Sequence, residues 1–116
     1  MTADHADAVR KHRIDLLHRG GTLAALIETV PGDGHLLIAN VAVSPALQNR
    51  GLGRRLLAHA EQLAAAQRHP VVRLFTNKLF AANVQLYRKL GYGVDREEWS
   101  GLGITVSMSK PVRAEG

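Results

Sequence analysis

The chain has 116 residues, enough for one domain and too few for two, and it carries no cysteine, which excludes a disulfide framework, a thiolate metal site and a cysteine nucleophile. The 15 Lys and Arg against 10 Asp and Glu give a formal net charge of +5, which favours anionic partners without choosing among nucleic acid, acidic lipid and a phosphorylated cofactor. No apolar run approaches the roughly 20 residues of a spanning helix, and the polar opening Met1-Thr2-Ala3-Asp4-His5 does not read as a signal peptide, so a cytoplasmic protein that engages no membrane is expected.

Residues 3–12 carry a faint helical spacing. Ile14 to His18 then reads as a short strand, Gly20-Gly21 as a hairpin turn, and Thr22 to Val30 as a second strand. Pro31-Gly32-Asp33-Gly34 is a turn. Leu36 to Val43 is the most apolar stretch, and its near-continuous run predicts a strand buried on both faces, ended by Ser44-Pro45. Gly51 to Arg68 predicts a helix, with Leu52, Leu56, Leu57, Ala60, Leu63 and Ala64 on one stripe and Pro70 as its stop. His59 is expected on its solvent side. Val71 to Thr76 is a further buried strand. A second helix follows from about Phe80 to Leu90, with Gly91 as its cap. Tyr92 to Arg96 and Ile104 to Ser109 close the sheet, and residues 111–116 read as a frayed tail. The order of strands, helix, strand, helix, strands makes a mixed α/β (α+β) domain, one sheet with packed helices.

Gln48 to Gly53 lies between a buried strand and a helix start. The first N–H groups of a helix are unpaired, and with the helix dipole they attract anions. Gly51 and Gly53 permit unusual backbone angles and put no side chain in front of those amides. Arg50, Arg54 and Arg55 add positive charge, and charge-assisted contacts to phosphate are strong. The loop lacks the Gly-Lys-Ser/Thr ending of a P-loop and the third glycine of a dinucleotide fingerprint. Glycines of this spacing also occur in plain strand-to-helix turns.

Val41-Ala42-Val43-Ser44-Pro45, followed by Gln48-x-x-Gly51-x-Gly53-Arg54-x-Leu56-Leu57, resembles the signature of the GNAT superfamily of N-acyltransferases, whose pattern is Gln/Arg-x-x-Gly-x-Gly/Ala. Asn83-Val84-Gln85-Leu86-Tyr87-Arg88-Lys89-Leu90-Gly91-Tyr92 is similar to a second segment of that family, in the right order and about thirty residues on. The resemblance spans roughly residues 14–112. It implies a mostly antiparallel twisted sheet with a central splayed strand pair, and transfer of acetyl from acetyl-CoA to an amine with no metal.

By that resemblance, Val41, Ala42 and Val43 pair with the pantetheine arm of acetyl-CoA as an added strand would. Gln48, Asn49, Arg50, Gly51, Leu52, Gly53 and Arg54 cradle its pyrophosphate, and a backbone N–H near Val41 stabilises the oxyanion. Asn83 and Tyr87 share a helix face; the asparagine contacts the cofactor arm and the tyrosine protonates the departing thiolate. Read without the family, Tyr87 is equally an ordinary core aromatic. Many members place a glutamate on the central strands as base, but here Asn40 stands where an acid could sit. Glu28 on the preceding strand is the nearest acid, Glu97, Glu98 and His35 are poorer candidates, and the base stays unassigned.

The family usually opens with a strand and two helices, whereas about a dozen residues precede Ile14 here. The acceptor is expected to be a small-molecule amine or a protein amino group; the abbreviation suggests a site open to a bulky substrate such as a protein amino terminus, or a wall supplied by a partner, and an uncovered edge favours a homodimer. A CoA-binding module without catalysis is the alternative, and a nucleic-acid-binding domain a more distant one, since only five residues are Phe, Trp or Tyr. The six histidines show no metal-ligand spacing, and none is expected to hold a metal. Trp99 lines the acceptor pocket or caps the core; the sequence does not choose.

Overall fold

The structure, a computed structural model, describes residues 12–101 and 103–113. The predicted helix over 3–12 therefore lies almost wholly outside the described residues, as do residues 114–116. The described elements are β1 (Arg13–Arg19), β2 (Thr22–Gly32), β3 (His35–Val43), a single 3-10 turn at Pro45–Leu47, α1 (Leu52–Ala66), β4 (Val71–Asn77), α2 (Ala81–Lys89), β5 (Gly93–Ser100) and β6 (Gly103–Pro111). The strands form one sheet in the order β1-β2-β3-β4-β6-β5. Every neighbouring pair is antiparallel except β3 with β4, which run parallel.

Several boundaries differ from the sequence reading. Pro31 and Gly32 continue β2, paired with Leu36 and His35, so only Asp33-Gly34 make the turn. A proline is tolerated near a strand's end, where its missing N–H costs little. The last two strands are longer than their apolar stretches because polar residues, Glu97, Glu98 and Ser107 among them, keep the ladder going. The first two residues of the expected tail are held: Pro111 pairs with Val71, and the Val112 N–H donates to the Pro70 carbonyl at 2.8 Å.

α1 covers one face of the sheet. Leu52, Leu56, Leu57, Ala60, Ala64 and Ala65 are its buried residues, and Leu56, Leu57, Ala60 and Ala64 join one core cluster with Ala25 and Ile27 of β2, Leu36 and Ile38 of β3, Val72 and Leu74 of β4, and Val106 and Met108 of β6. Each fully buried large aliphatic side chain contributes about 1.5–3 kcal/mol, so closing this stripe against the sheet is a major part of the driving force. The helix ends where Arg68 turns left-handed at φ 62°, with the His69 N–H donating to the Ala64 carbonyl at 2.8 Å. His59 departs from its expected solvent setting: its Nε2 lies 3.2 Å from the Asp15 carboxylate on β1.

β3 is not buried on both faces. Leu36 and Ile38 are buried, but Ala39, Asn40 and Ala42 are exposed. The reason is a bulge. β2 pairs Thr29 with Ile38 and then Glu28 with Asn40, so Ala39 is an extra residue in β3. One extra residue flips the alternation, returning Val41 and Val43 to the helix-covered face. The bulge sits where β3 and β4 part. Their pairing is confined to Leu36–Ile38 against Val72–Leu74, and Ala39–Val43 and Phe75–Asn77 diverge beyond it.

Candidate active site

α1 starts at Leu52 behind Gly51, which has φ 78°, and no side chain caps the helix. The first bond of the helix runs from the Arg55 N–H to the Gly51 carbonyl at 3.1 Å, so the N–H groups of Leu52, Gly53 and Arg54 precede it and stay unspent. The turn that delivers them uses two left-handed residues, Gly51 and Asn49, the latter at φ 66°. Gly53 is not one of them. It is helical, and a Cβ built on it meets nothing within 4 Å. The two glycines thus serve different ends: Gly51 supplies a backbone angle, Gly53 an unobstructed approach. Arg50, Arg54 and Arg55 are exposed and form no ion pair among the described residues.

These amides head a groove of 540 Å³, lined by Val41, Val43, Gln48, Asn49, Gly51, Leu52, Gly53, Arg54, Asn83 and Tyr87 together with Leu47, Leu57 and Leu86. Of the residues singled out in the sequence, all but Ala42 and Arg50 line it. Ala42 faces the other side of the sheet because of the bulge, and the Arg50 side chain stands outside. The sequence reading missed Leu47, Leu57 and Leu86. Leu57 already lay on the predicted apolar stripe, but nothing local marks the other two as groove residues. The Gln48 amide donates to the Val43 carbonyl at 3.5 Å, a long contact between the loop and the end of β3.

α2 carries Asn83 and Tyr87. Asn83 is exposed; Tyr87 is half-buried, and its ring meets Tyr92 edge-on with centroids 6.1 Å apart. Burial raises the Tyr87 phenol above its ordinary value, so it holds its proton at neutral pH. No described side chain hydrogen-bonds its hydroxyl, which leaves it free to donate. Tyr92 is fixed instead. Its hydroxyl donates to Glu61 at 3.5 Å, Glu61 pairs with Lys110 at 2.9 Å, and burial, with the Glu61 charge beside it, pushes this phenol far up.

A second cavity of 310 Å³ fills the gap between the parted ends of β3 and β4 and shares Val41, Asn83 and Tyr87 with the first. None of the acids or histidines weighed as base reaches either lining. Glu28 sits across from Asn40 in register and pairs with His12 at 2.7 Å. Glu97 pairs with Lys78 at 2.8 Å, Glu98 with Arg96 at 2.6 Å, and the His35 ring lies 3.1 Å from the Asp33 carbonyl. Trp99 takes neither role left open for it: it is 78% exposed and lines neither cavity. Among the described residues no group of three or more His, Asp or Glu is placed to hold a metal ion. No helix among them is long and apolar enough to cross a membrane.

The uncapped helix start, the parted strands and the tyrosine between them coincide with a sequence match that covers most of the chain: residues 4–92 match the Acetyltransferase (GNAT) family. The chain belongs to the GNAT acetyltransferase family. No curated protein matches its sequence. Solved structures of GNAT proteins share its fold at low identity. The ribosomal-protein-S18-alanine N-acetyltransferase from Escherichia coli superposes with a TM-score of 0.82 at 23% identity, over 99% of this chain and 78% of that one. Ard1 from Thermoplasma volcanium gives 0.82 at 18%, over 97% and 80%. A GNAT family acetyltransferase from Elizabethkingia anophelis, solved with acetyl-CoA bound, gives 0.78 at 16%, over 97% and 84%. The fold and family make the protein an acyltransferase, built on the six-stranded, mostly antiparallel sheet described above.

Proposed function

We propose that the protein moves an acetyl group from acetyl-CoA to a primary amine by direct attack, with both substrates bound at once. The observation that carries this reading is the uncapped start of α1 at the head of a groove that runs to Tyr87. The residues present fit the cosubstrate. The amides of Leu52, Gly53 and Arg54, with Gln48 and Asn49 beside them and the Arg50 charge nearby, suit a diphosphate. The edge Val41–Val43, unpaired on its β4 side, with Ala42 between, suits an amide-bearing arm that adds as a strand, and Asn83 faces the same path.

Acetyl-CoA supplies an acetyl thioester. The amine nitrogen forms its bond to the acetyl carbon, the carbon–sulfur bond breaks, the amine's surplus proton passes to solvent, and the sulfur takes the proton of Tyr87, which solvent then restores. A buried phenol suits this role because it enters the step protonated. The amide near Val41, freed by the bulge, is the donor for the oxyanion. Neither cavity has a carboxylate in its lining, and Glu28, across from Asn40 in register, is engaged by His12, so proton removal by solvent or a water relay is favoured over a dedicated base. A homodimer remains part of the proposal: β1 is an edge strand whose Ile14 and Leu16 are 59% and 54% exposed.

The test is nuclear magnetic resonance of the labelled protein titrated with CoA. The amide signals of Leu52, Gly53 and Arg54 move first and furthest. If CoA leaves them in place, the assignment of the loop is wrong and the acetyl-transfer reading fails with it. If they move but no amine is ever acetylated, the binding module without catalysis replaces the enzyme.

A further inference from the structure

The cofactor groove is headed by backbone donors and has Arg54 in its lining, but the cavity between β3 and β4 is lined differently. Its described lining carries no Asp, Glu, Lys, Arg or His. Phe75 and Phe80 form its walls and are 57% and 59% exposed. Its polar side chains are all uncharged, the amides of Asn40, Asn77 and Asn83 and the hydroxyls of Thr76 and Tyr87. A single exposed phenylalanine needs no explanation, but two facing one cleft that also contains Tyr87 mark a binding surface.

The lining decides between kinds of amine. A polyamine or aminoglycoside brings several ammonium groups, and the described lining offers none of them a carboxylate partner. A molecule with one amino group on an apolar frame brings a single charge, which it must shed before it can attack. Apolar surroundings lower the pKa of that amine and enlarge its neutral, nucleophilic fraction, doing part of the work of the base the cleft lacks. We infer that the acceptor is a singly charged primary amine carried on an apolar frame, selected by Phe75 and Phe80. Two sources present this chemistry: a free arylalkylamine, and the amino end of a peptide that begins with a bulky apolar residue. The inference rests on the acetyl-transfer reading of the same site.

The experiment compares four acceptors with the whole protein and acetyl-CoA: phenethylamine, a tripeptide amide beginning with phenylalanine, spermidine and kanamycin. Thiol release gives rates and mass spectrometry identifies products. At least one of the first two exceeds both polycations in kcat/KM by about 10-fold or more, and which of the two leads names the source. Phe80→Asp then exchanges a wall of the cleft for a carboxylate. Phe80 occupies the N-cap of α2, which has no side-chain cap, so aspartate there favours the helix and the fold is kept. The preference for apolar amines shrinks by about 10-fold, chiefly through the KM of the amine, while calorimetric affinity for CoA stays put. Phe75→Ala weakens calorimetric binding of phenethylamine to the CoA-loaded protein. A polycation preferred by the wild type, CoA binding without acetylation of either apolar amine, or a selectivity that neither substitution moves overturns the inference while leaving the cofactor assignment standing. Absence of CoA binding removes both.

Discussion

Gly53→Glu moves stability and binding in opposite directions. A Cβ at Gly53 meets nothing within 4 Å and the residue is already helical, so the fold accepts a side chain. Replacing glycine inside a helix gains about 0.5–1 kcal/mol in propensity, and a carboxylate in the first turn adds about 0.3–1 kcal/mol against the helix dipole. For a domain of this size the sum raises the melting temperature by about 4 °C or more. The same carboxylate stands among the amides proposed to meet the diphosphate. At a separation of about 5 Å and an effective dielectric constant of about 20–80, each pair of like charges costs roughly 1–3 kcal/mol, which weakens CoA binding about 10- to 100-fold. Gly53→Ala separates the two effects, with a similar gain in stability and a smaller loss of affinity. Thermal melts and isothermal calorimetry with CoA read both quantities. A variant that melts lower than the wild type, or binds CoA as tightly, refutes the reasoning, because the first outcome denies the open space at Gly53 and the second denies the anion site.

Tyr87→Phe keeps the ring that packs on Tyr92 and loses only the hydroxyl; kcat falls by about 100-fold with CoA affinity unchanged, measured by steady-state kinetics and calorimetry. The pH profile carries the matching signature. Burial raises the Tyr87 pKa, so its acid form persists past the ordinary phenol value of about 10 and activity falls only as pH rises through the raised value; the phenylalanine variant lacks that alkaline limb. Asp15 shows the opposite sign. Burial alone would raise its carboxyl, but hydrogen bonds and charge from Arg13 and His59 outweigh it and hold the group below its usual range. Its contribution to stability is therefore full above the unfolded value of about 3.9 and disappears as pH falls through the lower folded value; Asp15→Asn costs under about 1 kcal/mol at pH 7 and nothing at the acid extreme, by denaturant titration at each pH. Glu61→Ala strips the partner from both Lys110 and the Tyr92 hydroxyl and lowers stability by about 1–2 kcal/mol in the same titration.

Local pattern carried the helices and the loop. The stripe from Leu52 to Ala64 is the face that α1 buries, and Gln48 to Gly53 lies where a strand hands over to a helix. The bulge was not legible. Ala39 is one small apolar residue inside an apolar run, and only its pairing partner on β2 reveals that it is extra. With the bulge unseen, the run read as buried on both faces, and Ala42 was grouped with Val41 and Val43 although its side chain faces away. The roles of the glycines were likewise blurred: spacing does not tell an angle requirement from a clearance requirement, so Asn49, the second left-handed residue, stayed hidden beside them. The acceptor cleft was beyond reach for another reason. Phe75 and Phe80 sit on different elements and face one gap only because β3 and β4 part company.

The extra residue in β3 divides one strand between two tasks. Leu36 to Ile38 is bound to β4 and answers to folding; Asn40 to Val43 is left with an open edge on that side, the edge proposed to take the cofactor arm. Substituting Ala39 is therefore a mild change, but deleting it would slide Val41 and Val43 onto the wrong side and let the parallel ladder zip shut.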